Sequence, residues 1–373
     1  MSKKKILFIM ESLAGGGAEK VFLDLLESFD RNRYEIELLL VFNVGVHLDK
    51  IPDDIRVRYI YGRRPGLWRR LREHAVAMRN RLYRSDIRKL LKDERFDCII
   101  SFMEGPTLKM HTYVADKAPR NINWCHINLE DCHWTSYLYR SIEEERDEFA
   151  RMSEIVFVSA GAKEAFKRMF GYDQHLHIIY NIIPTEKIRR QSLEKTELHT
   201  EKFTFLNIGR LETAKRQDRL IEAARILRDK GHDFEVWIMG TGTLEQRLRK
   251  QIASLGLQDC VKMLGFHKKP YPILRQTDAF VLSSDAEGYP TVICEALTLG
   301  KPIVSTLIPG VDEQLGDGAG ITVDLTPEAL AAGMERILTD EQLRHNLSEK
   351  ALKKAATFEK DSILNRIYSL IDP

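Results

Sequence analysis

The sequence predicts an α/β protein made of two doubly wound parallel sheets. Short Val/Ile/Leu/Phe runs alternate with helical patterns along the whole chain, the signature of βαβ units. At 373 residues the chain is too long for one ordinary core, so two domains of about 150 to 200 residues are expected. A polar, charged stretch from Asn181 to Lys202, with Pro184 near its start, separates the halves. The division that results is a first domain over residues 1–182, a linker over 183–202, a second domain over 203–355 and a terminal segment over 356–373.

In the first half the strands are expected at Lys5–Met10, Tyr34–Phe42, Phe96–Phe102, Asn121–Cys125 and Glu154–Val158. In the second they are expected at Phe203–Ile208, Phe234–Met239, Cys260–Leu264, Ala279–Leu282, Pro302–Val304 and Gly320–Val323, with a last helix over Phe358–Ile371. Each apolar run is too short for a helix and is bounded by turn residues, as strands buried on both faces are.

The turn after the first strand reads Ala14-Gly15-Gly16-Gly17-Ala18-Glu19 and opens a helix. Gly16 and Gly17 let backbone N–H groups approach a phosphate at a helix N-terminus. A dinucleotide fingerprint needs a third glycine where Lys20 stands and an acidic residue after the second strand, which ends Val41-Phe42-Asn43. A nicotinamide site is therefore disfavoured. His126 closes the strand Asn123-Trp124-Cys125, at a carboxyl end where open sheets bind ligands. Cys125-His126 and Cys132-His133 lack both the Cys-x-x-Cys and the His-x-x-x-His spacing, so no metal site is expected.

Between Arg63 and Arg95 twelve Lys/Arg face four Asp/Glu, and Leu67, Leu71, Ala75, Met78 and Leu82 recur at helical spacing beside Trp68 and Tyr83. A basic amphipathic helix with aromatics suits an anionic membrane surface; the alternative is an apolar stripe packed on its own sheet. No nucleic-acid-binding pattern accompanies the charge, and the net charge of +2 gives no reason to expect one. The apolar run that opens the chain stops at Glu11, too short for a signal peptide, and five cysteines fit a reducing compartment. A cytoplasmic protein, peripheral on the inner face of the cell membrane, is expected.

In the second half, Arg210 and Lys215 flank the turn after Phe205–Ile208, before a helix expected from Arg216. A guanidinium and an ammonium five residues apart suit a diphosphate. Met239-Gly240-Thr241-Gly242 ends another strand with a second small-residue turn. No Asp-x-Asp occurs, so side-chain cations stand where a metal-bound diphosphate would otherwise be expected. The richest stretch is Ala279–Thr306: a strand, a turn carrying Glu287 and Gly288, a helix opened by Pro290, and another strand. Glu287 lies at the strand's carboxyl end. Glu295 lies about one and a half turns into the helix and points back toward its N-terminus. Donors near Gly288, Tyr289, Pro290 and Thr291 favour anions or hydroxyl oxygens there.

Taken together, Gly-Gly-Gly-Ala-Glu at 15–19, His126, Gly-Arg-Leu at 209–211 with Lys215, and Glu287-Gly-Tyr-Pro through Glu295 resemble the family-4 retaining glycosyltransferases. The resemblance spans nearly the whole chain, and Glu287 to Glu295 matches the family's E-x7-E motif. It implies the GT-B fold, two Rossmann-like domains facing across a cleft, with the last helix returning to the first domain. The second domain would bind a nucleotide sugar and the first a saccharide or lipid-linked saccharide acceptor, in bacterial polysaccharide or glycan assembly. Arg210 and Lys215 would hold the donor diphosphate, Gly240 would stand beside it, Glu295 would accept from the ribose hydroxyls, and Glu287 would contact the hexose with Gly288 and Tyr289. Gly16 and Gly17 would approach from the other side of the cleft, and His126 would contact the sugar near its anomeric centre.

The family's reaction retains configuration without an established enzyme nucleophile, a leaving-phosphate oxygen taking the acceptor's proton. No metal and no other cofactor is implied. The resemblance leaves the sugar open among UDP-linked glucose, galactose, GlcNAc and GalNAc, with GDP-mannose also compatible. A nucleotide-sugar epimerase of the same architecture and a non-catalytic membrane-surface adaptor are the rival readings.

Overall fold

The computed structural model describes residues 3–62 and 76–373. Two compact units result, one running to Ile182 and joined by Lys360–Pro373, the other Ile183–Glu359. The first holds a seven-stranded parallel sheet of β1 (Lys4–Met10), β2 (Tyr34–Phe42), β3 (Arg56–Tyr61), β4 (Cys98–Ser101), β5 (Arg120–Cys125), β6 (Glu154–Phe157) and β7 (Leu176–Ile178), in the order β3-β2-β1-β4-β5-β6-β7. The second holds a six-stranded parallel sheet of β8 (Thr204–Ile208), β9 (Glu235–Met239), β10 (Val261–Gly265), β11 (Ala279–Leu282), β12 (Ile303–Thr306) and β13 (Ile321–Val323), in the order β10-β9-β8-β11-β12-β13.

Both sheets reverse direction of winding beside their first strand, between β1 and β4 and between β8 and β11. Loops leaving the carboxyl ends of those paired strands diverge to opposite faces and leave a crevice, the usual ligand position in such sheets. Helices on both faces explain why the central strands are continuous apolar runs. Ile6 to Met10 and Ala279 to Leu282 are all at most 2 % exposed.

Two strands escape the sequence pattern, β3 and β7, and both are edge strands of the first sheet. An edge strand meets fewer neighbours and can carry charge. In β3, Arg58 donates from Nε to the buried Glu37 of β2 at 2.7 Å and also pairs with Glu94. In β7 only three residues pair.

The stretch expected as a linker is part of the second unit. Thr185–Ser192 forms a helix with Ile188 and Ser192 buried, and Leu198 packs against the core around Leu206, Trp237 and Phe280. Its isoleucine and leucine, diluted by charge in the sequence, supply enough apolar burial to hold it down. The helix expected from Arg216 begins instead at Gln217, after a 3-10 turn over Thr213–Lys215.

The terminal helix Lys360–Ile371 packs on the first unit. Tyr368 stacks on Tyr34 and meets Phe29 edge-on, both at 5.2 Å, and Asp372 accepts from the Tyr34 hydroxyl at 2.6 Å. Of the basic segment 63–95, residues 63–75, with Leu67, Trp68, Leu71 and Ala75, lie outside the described residues. In the helix Val76–Leu90, Ile87 is buried and Tyr83 packs on the first sheet's core, while Arg81, Arg84 and Arg88 are exposed. Where it is described, this helix thus turns Tyr83, Ile87 and Leu90 toward its own sheet, and of the expected stripe Leu82 is half-buried. Among the described residues no helix is long and apolar enough to cross a membrane.

Candidate functional site

At the second sheet's switch point, the loop after β8 carries Arg210 and Lys215 and the loop after β11 carries Glu287. The structure brings Lys215 and Glu287 together: the ammonium donates to Glu287 Oε1 at 2.5 Å, and Ser284 Oγ donates to the same oxygen at 2.8 Å. The two loops are sewn to each other by backbone and side chain. Asp285 N donates to Ala214 O at 2.8 Å, and Ser283 Oγ donates to Lys215 O at 2.9 Å. Arg210 goes elsewhere. It is exposed, with its guanidinium 3.4 Å from Glu212.

Helix Thr291–Thr298 opens at Pro290, directly after this loop. Glu295 stands one turn beyond Thr291 on the same face and is buried, as is Tyr289. Behind the turn lies a second glycine. Gly310 has φ +86°, and a Cβ there would come within 2.2 Å of Gly288 O. Gln314, fully buried, donates to Pro290 O at 3.1 Å. This part of the site is therefore fixed by backbone packed on backbone, which only a missing Cβ permits. Gly240 works the same way: at φ +143°, a Cβ would sit 1.9 Å from Gly209 O. It lets the turn after β9 abut the loop that carries Arg210 and Lys215.

The first sheet's switch point is chemically different. Helix Gly17–Ser28 opens at Gly16, where a Cβ would lie 2.3 Å from a Glu19 carboxylate oxygen, and Gly15 has φ +110°. The loop after β4 carries Glu104, a residue the sequence reading passed over. It is 2 % exposed, accepts from His126 N at 2.9 Å and from the Trp134 indole at 3.1 Å. Burial pushes its carboxyl above the usual range, against the pull of those two donors. Its neighbour Gly105 (φ +71°) leaves room for the Trp134 ring, which a Cβ would meet at 2.8 Å.

His126 follows β5 with its ring 4.7 Å from that of Phe102. Desolvation lowers its imidazole to about 3, so it is neutral over the working pH range. Its Nε2 is buried and has no hydrogen-bond partner among the described residues. Glu104 carried no signal in sequence because one glutamate after an apolar run is ordinary; only the loop's return toward β5 gives it a partner.

Among the described residues no group of three or more His, Cys, Asp or Glu side chains is placed to hold a metal ion. His133 instead meets the buried Glu145 at 2.6 Å, which also accepts from Thr135 Oγ1.

Two family models cover the chain in tandem. Residues 15–187 match Glycosyltransferase Family 4, and residues 188–354 match Glycosyl transferases group 1. The chain belongs to this glycosyltransferase family. Its fold is GT-B, shared with HepE of Anabaena, solved with UDP and glucose (21 % identity, 98 % of each chain, TM-score 0.76), and with a TarM variant of S. aureus, solved with UDP (14 % identity, 99 % and 100 % of the chains, TM-score 0.78). In sequence, this glycosyltransferase is 26 % identical to the N-acetylgalactosamine-N,N'-diacetylbacillosaminyl-diphospho-undecaprenol 4-alpha-N-acetylgalactosaminyltransferase of Campylobacter jejuni, over 96 % of the chain and 97 % of that relative. A second Campylobacter jejuni enzyme, an alpha-1,4-N-acetyl-D-galactosaminyltransferase acting on a GalNAc-extended diNAcBac-PP-undecaprenol, is 25 % identical over 98 % of each chain.

Proposed function

We propose that this glycosyltransferase moves a hexose or N-acetylhexosamine from a UDP-sugar to a saccharide borne on a lipid diphosphate, with retention of configuration, in bacterial glycan synthesis. The observation that carries the reading is the Lys215–Glu287 pair at the second sheet's switch point, beside a helix N-terminus and the buried Glu295. Support for the lipid-linked acceptor comes from the two Campylobacter relatives, which align over nearly their whole length. Support for a uridine nucleotide comes from the bound UDP of HepE and TarM.

In this reading the second unit holds the donor. Lys215, with Arg210, neutralises the diphosphate and stabilises the charge that grows on it as the glycosidic bond breaks. Glu287, already oriented by Lys215 and Ser284, accepts from the hexose hydroxyls, and Gly288, Tyr289, Pro290 and Thr291 contribute backbone of the same turn. Glu295 accepts from the ribose, and Gly240 keeps the neighbouring turn close. The first unit serves the acceptor, with the helix N-terminus at Gly16 and Gly17 taking phosphate and the neutral His126 offering Nε2 to a sugar hydroxyl. A leaving-phosphate oxygen removes the acceptor's proton on the face where the new bond forms. Two carboxylates engaged with a lysine and with ribose do not act as the acid and nucleophile of a glycosidase. The chemistry runs on side-chain cations without a metal, and the exposed Arg81, Arg84 and Arg88 lead the protein to an anionic bilayer from the cytoplasmic side.

Calorimetry against UDP-glucose, UDP-galactose, UDP-GlcNAc, UDP-GalNAc and GDP-mannose tests the donor site. One donor should bind, and Glu295→Ala should abolish its binding; binding by none overturns the reading. Product anomers read by NMR test retention, and EDTA should leave turnover intact. Conversion of the donor sugar with no acceptor present would replace transfer by epimerisation. Charge reversal at Arg81 and Arg84 should weaken binding to vesicles rich in anionic lipid, and unchanged binding removes the membrane claim.

A further inference from the structure

The backbone at Arg216 is unusual. Its φ of +49° and ψ of +42° place it in the left-handed region, and His175 is the other non-glycine residue with positive φ among the described residues. A side chain with a Cβ disfavours that region, so something must offset the strain. Here two carboxylates do so. Arg216 donates from Nε and Nη2 to Asp218 at 3.0 and 3.1 Å, and from Nη1 to Asp285 Oδ2 at 2.8 Å. The other oxygen of Asp285 accepts from Nη2 of Arg219 at 2.5 Å. Arg219 is only 3 % exposed and also donates from Nη1 to Ser283 O at 2.8 Å.

One carboxylate from the loop after β11 thus grips two arginines from the segment after β8. Each of its oxygens is used, and its own N–H holds Ala214 O. Lys215 sits between Ala214 and Arg216, the two residues so held. A lysine side chain has four rotatable bonds and would otherwise sample open solvent. The direction in which it leaves the chain is set by the backbone on either side of it.

We propose that Asp285, with Arg216 and Arg219, is a positioning clamp: by stabilising the left-handed turn at Arg216 it aims the Lys215 ammonium at Glu287 and thereby at the donor diphosphate. Asp285 and Arg216 touch no reacting atom in this scheme and act through Lys215. The destination of Lys215 rests on the reading of the donor site given above, whereas the clamp itself does not.

The roles separate by a rescue experiment. Arg216→Ala keeps a Cβ and loses the carboxylates, so the turn relaxes. Arg216→Gly also loses them but adopts positive φ without strain. The first readout needs no substrate: the rate at which Lys215 is acetylated by an N-hydroxysuccinimide ester, followed by mass spectrometry on the folded, full-length chain. Arg216→Ala and Asp285→Asn should free Lys215 from Glu287 and raise that rate about tenfold, the scale of one relaxed backbone strain. Arg216→Gly should stay near wild type, and adding it to Asp285→Asn should restore slow labelling. Melting temperatures confirm folding, and Arg216→Ala serves should Asp285→Asn unfold. The second readout is UDP affinity by calorimetry, expected to fall about tenfold in the same two variants and to return with the glycine.

Wild-type labelling in Arg216→Ala, or no rescue by glycine in the Asp285→Asn background, overturns the clamp. If wild type binds no UDP, the donor-site reading fails while the labelling still decides whether Asp285 places Lys215.

Discussion

The two sheets share one topology around the switch point and put opposite chemistry on it. At the second, the loops are joined by full charges: Lys215 to Glu287, and Arg216 and Arg219 to Asp285. At the first, the corresponding loops hold a glycine turn, a buried carboxyl and a desolvated imidazole, joined by hydrogen bonds from a backbone amide and an indole. Topology therefore decides where a ligand sits, and the loop residues decide what kind it is. A charged edge suits a diphosphate whose negative charge grows during reaction. A half-buried edge that offers a neutral imidazole and a glycine turn in place of a lysine–carboxylate pair suits, on the proposed reading, acceptor hydroxyl groups that must be oriented without being ionised.

The widest separation between the edges should appear in turnover. On the proposed reading, in which Lys215 faces the leaving group, Lys215→Ala should lower kcat by about 10²–10³-fold, the range seen when one preorganised donor to a developing anion is lost. His126→Asn should cost less, since a neutral hydrogen bond to a hydroxyl is worth about 1 kcal/mol. Steady-state rates with the donor identified by calorimetry decide this, and an equal loss in both would erase the distinction between the edges.

Next in size is Glu104→Ala, which leaves the His126 amide and the Trp134 indole without their acceptor in a partly buried place and should destabilise the fold by about 1–3 kcal/mol in urea melts. Glu104→Gln keeps an acceptor and should recover part of that loss. Full stability in the alanine variant would show that water replaces the carboxyl.

The edges should also separate in pH. Burial lowers His126 to about 3 and lowers His111, fully buried in the helix Pro106–Thr112 between Ser101 and Asn121, to about 4, below the ordinary value of 6.5. The unfolded chain then binds more protons than the native one between those values. The stability from these neutral imidazoles is complete above about pH 6.5 and is lost as pH falls toward 4 and then 3, at up to ~1.4 kcal/mol per pH unit for each. Stability measured from pH 7 to 4.5 should fall accordingly, and His111→Gln should flatten the slope whatever it does to the absolute value. Smallest of all, Glu212→Ala removes the exposed partner of Arg210 and should change stability by less than ~1 kcal/mol in the same melts. A larger change would mean that Arg210 is held by more than an exposed pair.

Most of the strands are legible in the sequence because they are buried on both faces and so read as unbroken apolar runs. Those that are not, β3 and β7, lie at the edge of a sheet, where arginine and histidine replace some of that apolar content. The charged segment after Pro184 misleads for a related reason. Its apolar residues are few, but Ile188 and Leu198 find a core that composition cannot show.

By itself the sequence determined that the chain is two wound α/β domains, that Lys215, Glu287, Glu295 and His126 follow strand ends, and that glycines punctuate the turns beside them. These follow from local periodicity and turn chemistry, which are properties of neighbouring residues. Tertiary structure alone decided that Lys215 pairs with Glu287 while Arg210 does not, that Asp285 joins two arginines, and that Glu104 holds His126. Each is a meeting of groups on segments that follow different strands, and the distance between them depends on which strands lie side by side, a fact that no single segment encodes.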